Sequence, residues 1–258
     1  MSTHFSDLEG KVVIITGAAG GLGSKCALEL ARNGVKLGLF DMHPDIEKTA
    51  REVKAEKGME NNVLYKRGDV CSLDIDRSFA DSVYRAFGRI DGLLNIAAIY
   101  RGLKHTSLFD LTEKEWDNTM AVNVKGSWLM SKAVAPFMMK NKRGKIINIS
   151  STTVLSGTPQ IMHYITSKAA VVGLTRAMAR ELGGDNIQVN CVSPGILPTE
   201  ASLERLPDAY MEKLASESSL KRITPPEGVI STLAFLLSDA SDYITGQTIV
   251  VDSGRYFL

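Results

Sequence analysis

The run KVVIITGAAGGLG, residues 11 to 23, restricts the fold of this chain more than any other stretch. Its first half is apolar and β-branched, which suits a buried strand, and its second half is a glycine cluster, which ends the strand in a tight turn. The pattern predicts a strand over 11–16 and a helix from about Leu22 to Asn33. Gly17, Gly21 and Gly23 at the junction would let backbone amides approach a pyrophosphate at the helix start, where the peptide dipoles favour negative charge. The spacing is TGxxxGxG from Thr16 rather than the dinucleotide fingerprint GxGxxG, and a ligand-free connection between strand and helix would read the same way. A second strand, VKLGLF at 35–40, leads into Asp41, whose carboxylate can accept hydrogen bonds from an adenosine ribose.

Short apolar runs alternate with longer amphipathic stretches along the rest of the chain. Strands are predicted at 11–16, 36–40, 63–67, 92–96, 145–150, 187–192 and 248–251, and helices at 22–33, 45–57, 72–87, 113–139, 164–182 and 226–238. This alternation predicts one α/β domain over 1–258, a Rossmann-like doubly wound parallel sheet of about seven strands. Right-handed crossovers put helices on both faces and ligands at the carboxyl ends of the strands. No Pro/Ser/Gly-rich linker divides the 258 residues.

Tyr164 and Lys168, in HYITSKAA, stand four apart and share a helix face. A tyrosine with an unperturbed pKa of about 10 needs a shift of roughly three units, about 4 kcal/mol, to act as a base near neutrality. One ammonium at about 4 Å is worth roughly that at an effective dielectric of about 20. The pair therefore suggests proton transfer, although a Tyr and a Lys four apart also occur on solvated helices.

Taken in order, these motifs resemble the short-chain dehydrogenase/reductase family over nearly the whole chain. TGAAGGLG is similar to its cofactor loop; Asp69 and Val70 of GDV to its adenine contact; Asn123 of NVKG to its helix asparagine; Ser151 of INISS to its active-site serine; Tyr164 and Lys168 to its YxxxK pair; Pro194 and Gly195 of SPGILPT to its segment beside the nicotinamide. The resemblance implies an NAD-dependent alcohol dehydrogenase/reductase with the catalytic set Asn123, Ser151, Tyr164 and Lys168. The cofactor would lie against Gly17, Gly21, Leu22, Gly23, Asp41, Asp69, Val70, Asn95, Ala97, Tyr164, Lys168, Pro194, Gly195, Ile196 and Thr199. Tyr164 would exchange a proton with the substrate oxygen and Ser151 would hydrogen-bond it. Lys168 would lower the tyrosine pKa and hold the nicotinamide ribose, and Asn123 would bind a proton-relaying water. A capping role for Ser151 and a surface position for Asn123 account for those two residues equally well alone. Two departures stand out: NIAA at Asn95 to Ala98 where the family has NNAG, and VDSG where it often has VDGG.

Composition narrows the partners. A formal net charge of +1 argues against nucleic acid, and the densest basic cluster, KNKRGK at 140–145, reads as a solvated helix end. No apolar run approaches the roughly 18 residues of a membrane span, and MSTHFSDLEG has no secretory pattern, so a cytoplasmic location is expected. Cys26, Cys71 and Cys191 are widely spaced, and His4, His43, His105 and His163 lack ligand spacing, so neither a disulfide nor a metal is expected.

By position, pocket walls are expected from Tyr100 to Thr106, Thr152 to Val154 and Ile161 to His163, with a lid at about 196–220. Ser151, Thr153, His163 and Tyr164 would touch substrate. The lid holds Glu200, Glu204, Asp208, Glu212 and Glu217 against Arg205 and Lys213, a poor match to an acidic carrier protein, so the expected substrate is a secondary alcohol or hydroxylated ring. Asp41 would repel a 2′-phosphate, and Gly20 and Met42 offer no compensating cation, so NAD is expected over NADP. An NADP-using ketone reductase of the same family and a non-catalytic dinucleotide sensor are the alternatives. Ala169, Gly173 and Ala177 form a small-residue ridge that suits either a homotetramer, the family's commonest assembly, or close packing on the chain's own sheet.

Overall fold

The computed structural model describes residues 5–100, 102–203 and 207–258. Its seven strands are β1 (Val12–Thr16), β2 (Lys36–Asp41), β3 (Val63–Arg67), β4 (Gly92–Asn95), β5 (Gly144–Ile149), β6 (Ile187–Pro194) and β7 (Thr248–Val251). They form one parallel sheet in the order β3-β2-β1-β4-β5-β6-β7. The order reverses direction between β1 and β4, where the connections move from one side of the sheet to the other and leave a crevice at the carboxyl ends.

Burial follows from that topology. Every residue of β1, β4, β5 and β6 is buried, as expected of strands covered on both faces, whereas edge strand β3 alternates and β7 is partly exposed throughout. One core packs α1 (Gly21–Arg32), α2 (Ile46–Lys54) and α10 (Pro226–Leu237) on one face. The other packs α3 (Leu73–Phe87), α5 (Ser127–Lys140) and α7 (Met162–Leu182) on the opposite face.

The predicted strands are all present, each within two residues at either end. The predicted helix over 113–139 is instead three pieces: α4 (Glu113–Met120), a π-helical turn (Ala121–Gly126) and α5. α4 opens with a capping box between Thr112 and Glu115. The π-turn widens the backbone at Asn123, a departure that apolar periodicity does not register. The stretch 196–220, expected as a lid, contains α8 (Glu200–Leu203) and α9 (Asp208–Glu217), while short α6 (Thr153–Ser156) follows β5. Glu204 and Arg205 of the lid, Arg101 of the expected pocket wall and His4 lie outside the described residues, as does the side chain of Glu200.

Candidate active site

A cleft of about 1090 Å³ runs along the carboxyl ends of β1, β2, β4, β5 and β6 and under α9. All the expected cofactor residues except Asn95 line it. The glycine loop is built so that backbone lies on backbone. A Cβ at Gly23 would sit 2.1 Å from the Gly17 carbonyl oxygen, and one at Gly17, whose φ is +70°, would sit 2.7 Å from the Ala97 amide nitrogen. None of the first-turn residues of α1 is acidic, which leaves the positive end of the helix open to an anion. This cradle, which side chains would fill, fits the pyrophosphate of a dinucleotide.

At the tip of β2, Asp41 is held by two backbone donors, Ala19 N–H at 2.9 Å and His43 N–H at 2.8 Å, so its carboxylate is fixed at the rim of the glycine loop. Asp69 accepts the Cys71 amide at 2.9 Å, and Val70 beside it is 6% exposed. The NIAA segment is carried by Thr16, whose Oγ1 accepts the amides of Ile96 and Ala97, each at 3.2 Å. Ala98 lines the cleft without adopting left-handed backbone, so its methyl group adds no strain where relatives have glycine.

Ser151, Tyr164 and Lys168 converge on one part of this cleft. Ser151 Oγ accepts from the Thr153 amide at 3.2 Å and the Thr153 hydroxyl at 3.0 Å, so it caps the start of α6 while also hydrogen-bonding Tyr164. Burial pushes the Tyr164 phenol well up, nearby Tyr100 adds to this with its ring centroid 5.8 Å away, and the Ser151 hydrogen bond pulls it back. The expected depression by Lys168 does not appear in this geometry. Lys168 Nζ donates to the Ile149 carbonyl at 2.9 Å, lies 5.7 Å from the Tyr164 ring centroid, and is itself pushed down to about 8 by burial.

Three expected site residues lie off the cleft wall. Asn95 points into the interior, where its Nδ2 donates to Ser131 Oγ and Asn148 Oδ1 and ties β4 to β5 and α5. Asn123 accepts the Ile99 amide at 2.7 Å and donates to Ser167 Oγ at 2.9 Å. Its carboxamide is therefore a brace between the π-turn, the segment after β4 and α7. His163, expected to touch substrate, is 4% exposed and is not among the residues lining the cleft. Successive helical residues differ by about 100°, which turns the His163 side chain away from the direction of Tyr164. Val154 and Met162 are likewise off the wall, whereas Tyr100, Thr152, Thr153 and Ile161 line it.

At the far end of the cleft Tyr210 and Leu214 of α9 fall within the stretch expected as a lid, whereas Arg222 to Thr224, Asp252, Arg255 and Tyr256 are not anticipated from the sequence. No motif marks these residues; only the fold brings the C-terminal segment beside the end of β6.

A family model described as enoyl-(acyl carrier protein) reductase matches residues 17–255. Among curated relatives, a 3-oxoacyl-[acyl-carrier-protein] reductase of Thermotoga maritima is 38% identical over 96% of this chain and 98% of its own length. A (2S)-[(R)-hydroxy(phenyl)methyl]succinyl-CoA dehydrogenase subunit of Thauera aromatica is 37% identical over 96% and 97%. Among solved structures, an NAD+-bound xylitol dehydrogenase superposes with a TM-score of 0.89 at 30% identity over 96% of this chain and 99% of that one. A short-chain dehydrogenase/reductase of Brucella melitensis, titled glucose/ribitol dehydrogenase, gives 0.88 at 28% identity over 98% and 99%. The cradle at the switch point of the sheet and these full-length matches agree: the chain belongs to the short-chain dehydrogenase/reductase family, oxidoreductases that use a nicotinamide dinucleotide.

Proposed function

We propose that this protein oxidises a secondary alcohol or hydroxylated ring to its ketone with NAD. The observation that carries the cofactor choice is Asp41, pinned by Ala19 and His43 at the rim of the glycine loop, where a 2′-phosphate would meet a fixed carboxylate. Gly20 and the exposed Met42 beside it supply no cation. When bound, the nicotinamide supplies hydride acceptance. Gly17, Gly21, Leu22 and Gly23 would hold the pyrophosphate, Asp41 the adenosine ribose, and Asp69 and Val70 the adenine. Ala97, Lys168, Pro194, Gly195, Ile196 and Thr199 would hold the nicotinamide end. Tyr164 takes the carbinol proton on its phenolic oxygen, and Ser151 holds the same substrate oxygen by hydrogen bond as charge develops. Asn123 acts at one remove, bracing α7 through Ser167 so that Tyr164 keeps its aim.

The wall near Tyr164 combines apolar Tyr100, Leu103 and Ile161 with Thr153, a mixture suited to a compact, partly polar alcohol. One observation favours a second reading, NADP-linked reduction of a ketone: the Thermotoga maritima relative at 38% identity is a 3-oxoacyl-[acyl-carrier-protein] reductase. Steady-state kinetics with both cofactors in both directions, over panels of aryl alcohols, polyols and ketoacyl thioesters, separates the two. NAD should be favoured at least about tenfold, the effect of roughly 1.4 kcal/mol. Equal efficiency with NADP, or activity on carrier-bound ketoacyl chains alone, overturns the first reading, and no turnover at all leaves a dinucleotide sensor.

We also infer a homotetramer in the cytoplasm. Ala169, Gly173 and Ala177 are exposed along α7, which removes packing on the chain's own sheet as their explanation. The shallow apolar groove beside them, lined by Met120, Ala121, Val124, Trp128 and Leu174, extends the same face. Among the described residues no helix is long and apolar enough to cross a membrane. A monomer by light scattering at micromolar concentration would count against this assembly.

A further inference from the structure

Both ends of the excursion between β6 and α10 are fastened to the four residues that follow the start of the last strand's exit, Val251 to Gly254. At the entrance, the Gly195 amide donates to the Val251 carbonyl at 3.1 Å, and a Cβ on Gly195 would sit 2.9 Å from Asp252 Cβ. At the return, the amides of Ser219 and Leu220 donate to the carbonyls of Gly254 and Ser253, at 3.0 and 3.1 Å. One further contact joins side chains: Thr224 Oγ1 and Ser253 Oγ lie 2.7 Å apart.

Ser253 is the residue that departs from the family's VDGG, and the structure gives the departure a cost and a use. Its φ is +60°, in the left-handed region that glycine occupies freely and serine does not. A glycine would relieve this strain but has no hydroxyl to offer Thr224, which is 8% exposed and lines the cleft beside Ile223 and Arg222. The Thr224 methyl sits where a side chain on Gly228, at the start of α10, would meet it at 3.1 Å, so the Thr224 side chain lies between Ser253 and the head of α10.

We propose that Ser253 is a positioning residue: its hydroxyl, held in strained backbone, latches Thr224 and so fixes the returning end of the lid that carries Tyr210 and Leu214 over the substrate end of the cleft. The idea rests on the dehydrogenase reading only for which ligand the lid covers. The latch itself is tested without turnover.

Ser253→Gly removes hydroxyl and strain together, Thr224→Val removes the other hydroxyl while keeping shape, and Thr224→Ser keeps the hydroxyl as the conservative control. Trypsin, the probe used on the cofactor-free protein, should cut at Lys213 and Lys221 about three- to tenfold faster in Thr224→Val, the worth of one hydrogen bond, and faster by a smaller factor in Ser253→Gly, where relief of the backbone strain offsets part of the loss. Thr224→Ser should match the parent, and the double variant should be no faster than either single one. With an alcohol identified as a substrate in the NAD panel, KM for that alcohol should rise by a similar factor while kcat and KM for NAD stay within about twofold. Unchanged cleavage in both single variants overturns the latch, as does additive cleavage in the double variant. Faster cutting at Lys142, far from the lid, by the same factor also overturns it, because that marks general loosening. Changed cleavage with no alcohol oxidised by any variant or by the parent supports the latch and refutes the dehydrogenase reading instead.

Discussion

The glycine loop and the lid face each other across the same cleft, and they are held by different means. In the loop, Gly17, Gly23 and Ala97 meet backbone to backbone within a few residues of β1 and β4, with no room for a methyl group. In the proposed lid, α9 lies between two stems fastened by Val251 to Gly254, with Arg255 holding Glu217 at its end, more than thirty positions later than either the start or the middle of the excursion. The loop is therefore rigid by exclusion and readable from local spacing. The proposed lid is positioned by a few replaceable hydrogen bonds and one ion pair, which is how a segment that admits substrate would be built.

The sharpest test removes the chemistry and leaves both regions standing. Tyr164→Phe should lower kcat by about 10³, within the usual range for loss of a general acid–base group, with NAD affinity unchanged by fluorescence titration. Because burial holds the phenol above its ordinary range, oxidation by the parent should climb from about pH 7 to about pH 9, and a flat profile would remove the proton-transfer role. Next, Gly23→Ala places a methyl 2.1 Å from a backbone oxygen, so dinucleotide affinity should fall on the order of 100-fold by titration calorimetry. If NAD still bound tightly, the loop would be no more rigid than the lid and the contrast would fail.

A third test concerns the buried first turn of α3, next in the chain after Asp69 and Val70. Asp76 is wholly buried, neither carboxylate oxygen has a hydrogen-bond partner, and burial followed by the neighbouring Asp69 charge raises its pKa to about 7. The folded protein then holds a proton that the unfolded chain releases between about pH 4 and pH 7, so this group's contribution to stability is lost as pH rises through that window. Asp76→Asn should flatten that slope and gain on the order of 1–2 kcal/mol at about pH 7.5 relative to about pH 4.5, read by urea unfolding. An unaltered pH dependence would show that Asp76 is not the titrating group. The smallest effect belongs to the lid: Leu214→Ala, at a position 3% exposed, should raise KM for the alcohol about three- to tenfold without changing NAD affinity. Loss of NAD binding in that variant would merge the two regions into one unit.

The parallel sheet and the glycine loop are legible in the chain, because apolar β-branched runs, glycine spacing and the residue ending β2 act over a few positions and leave a mark where they act. The sequence also placed Ser151 two residues past β5, and Tyr164 with Lys168 one turn apart at the head of α7. Which way neighbouring side chains turn is set instead by long-range packing. The fold buries His163 off the cleft wall while Tyr164 lines it, ties the Asn123 carboxamide to Ile99 and Ser167 inside a π-turn, and turns Lys168 onto the Ile149 carbonyl. It also brought Ser253 against Thr224, joining residues 29 positions apart. Such pairings depend on how the strand ends stack after the chain has crossed the sheet, a long-range event for which no local periodicity carries a signal.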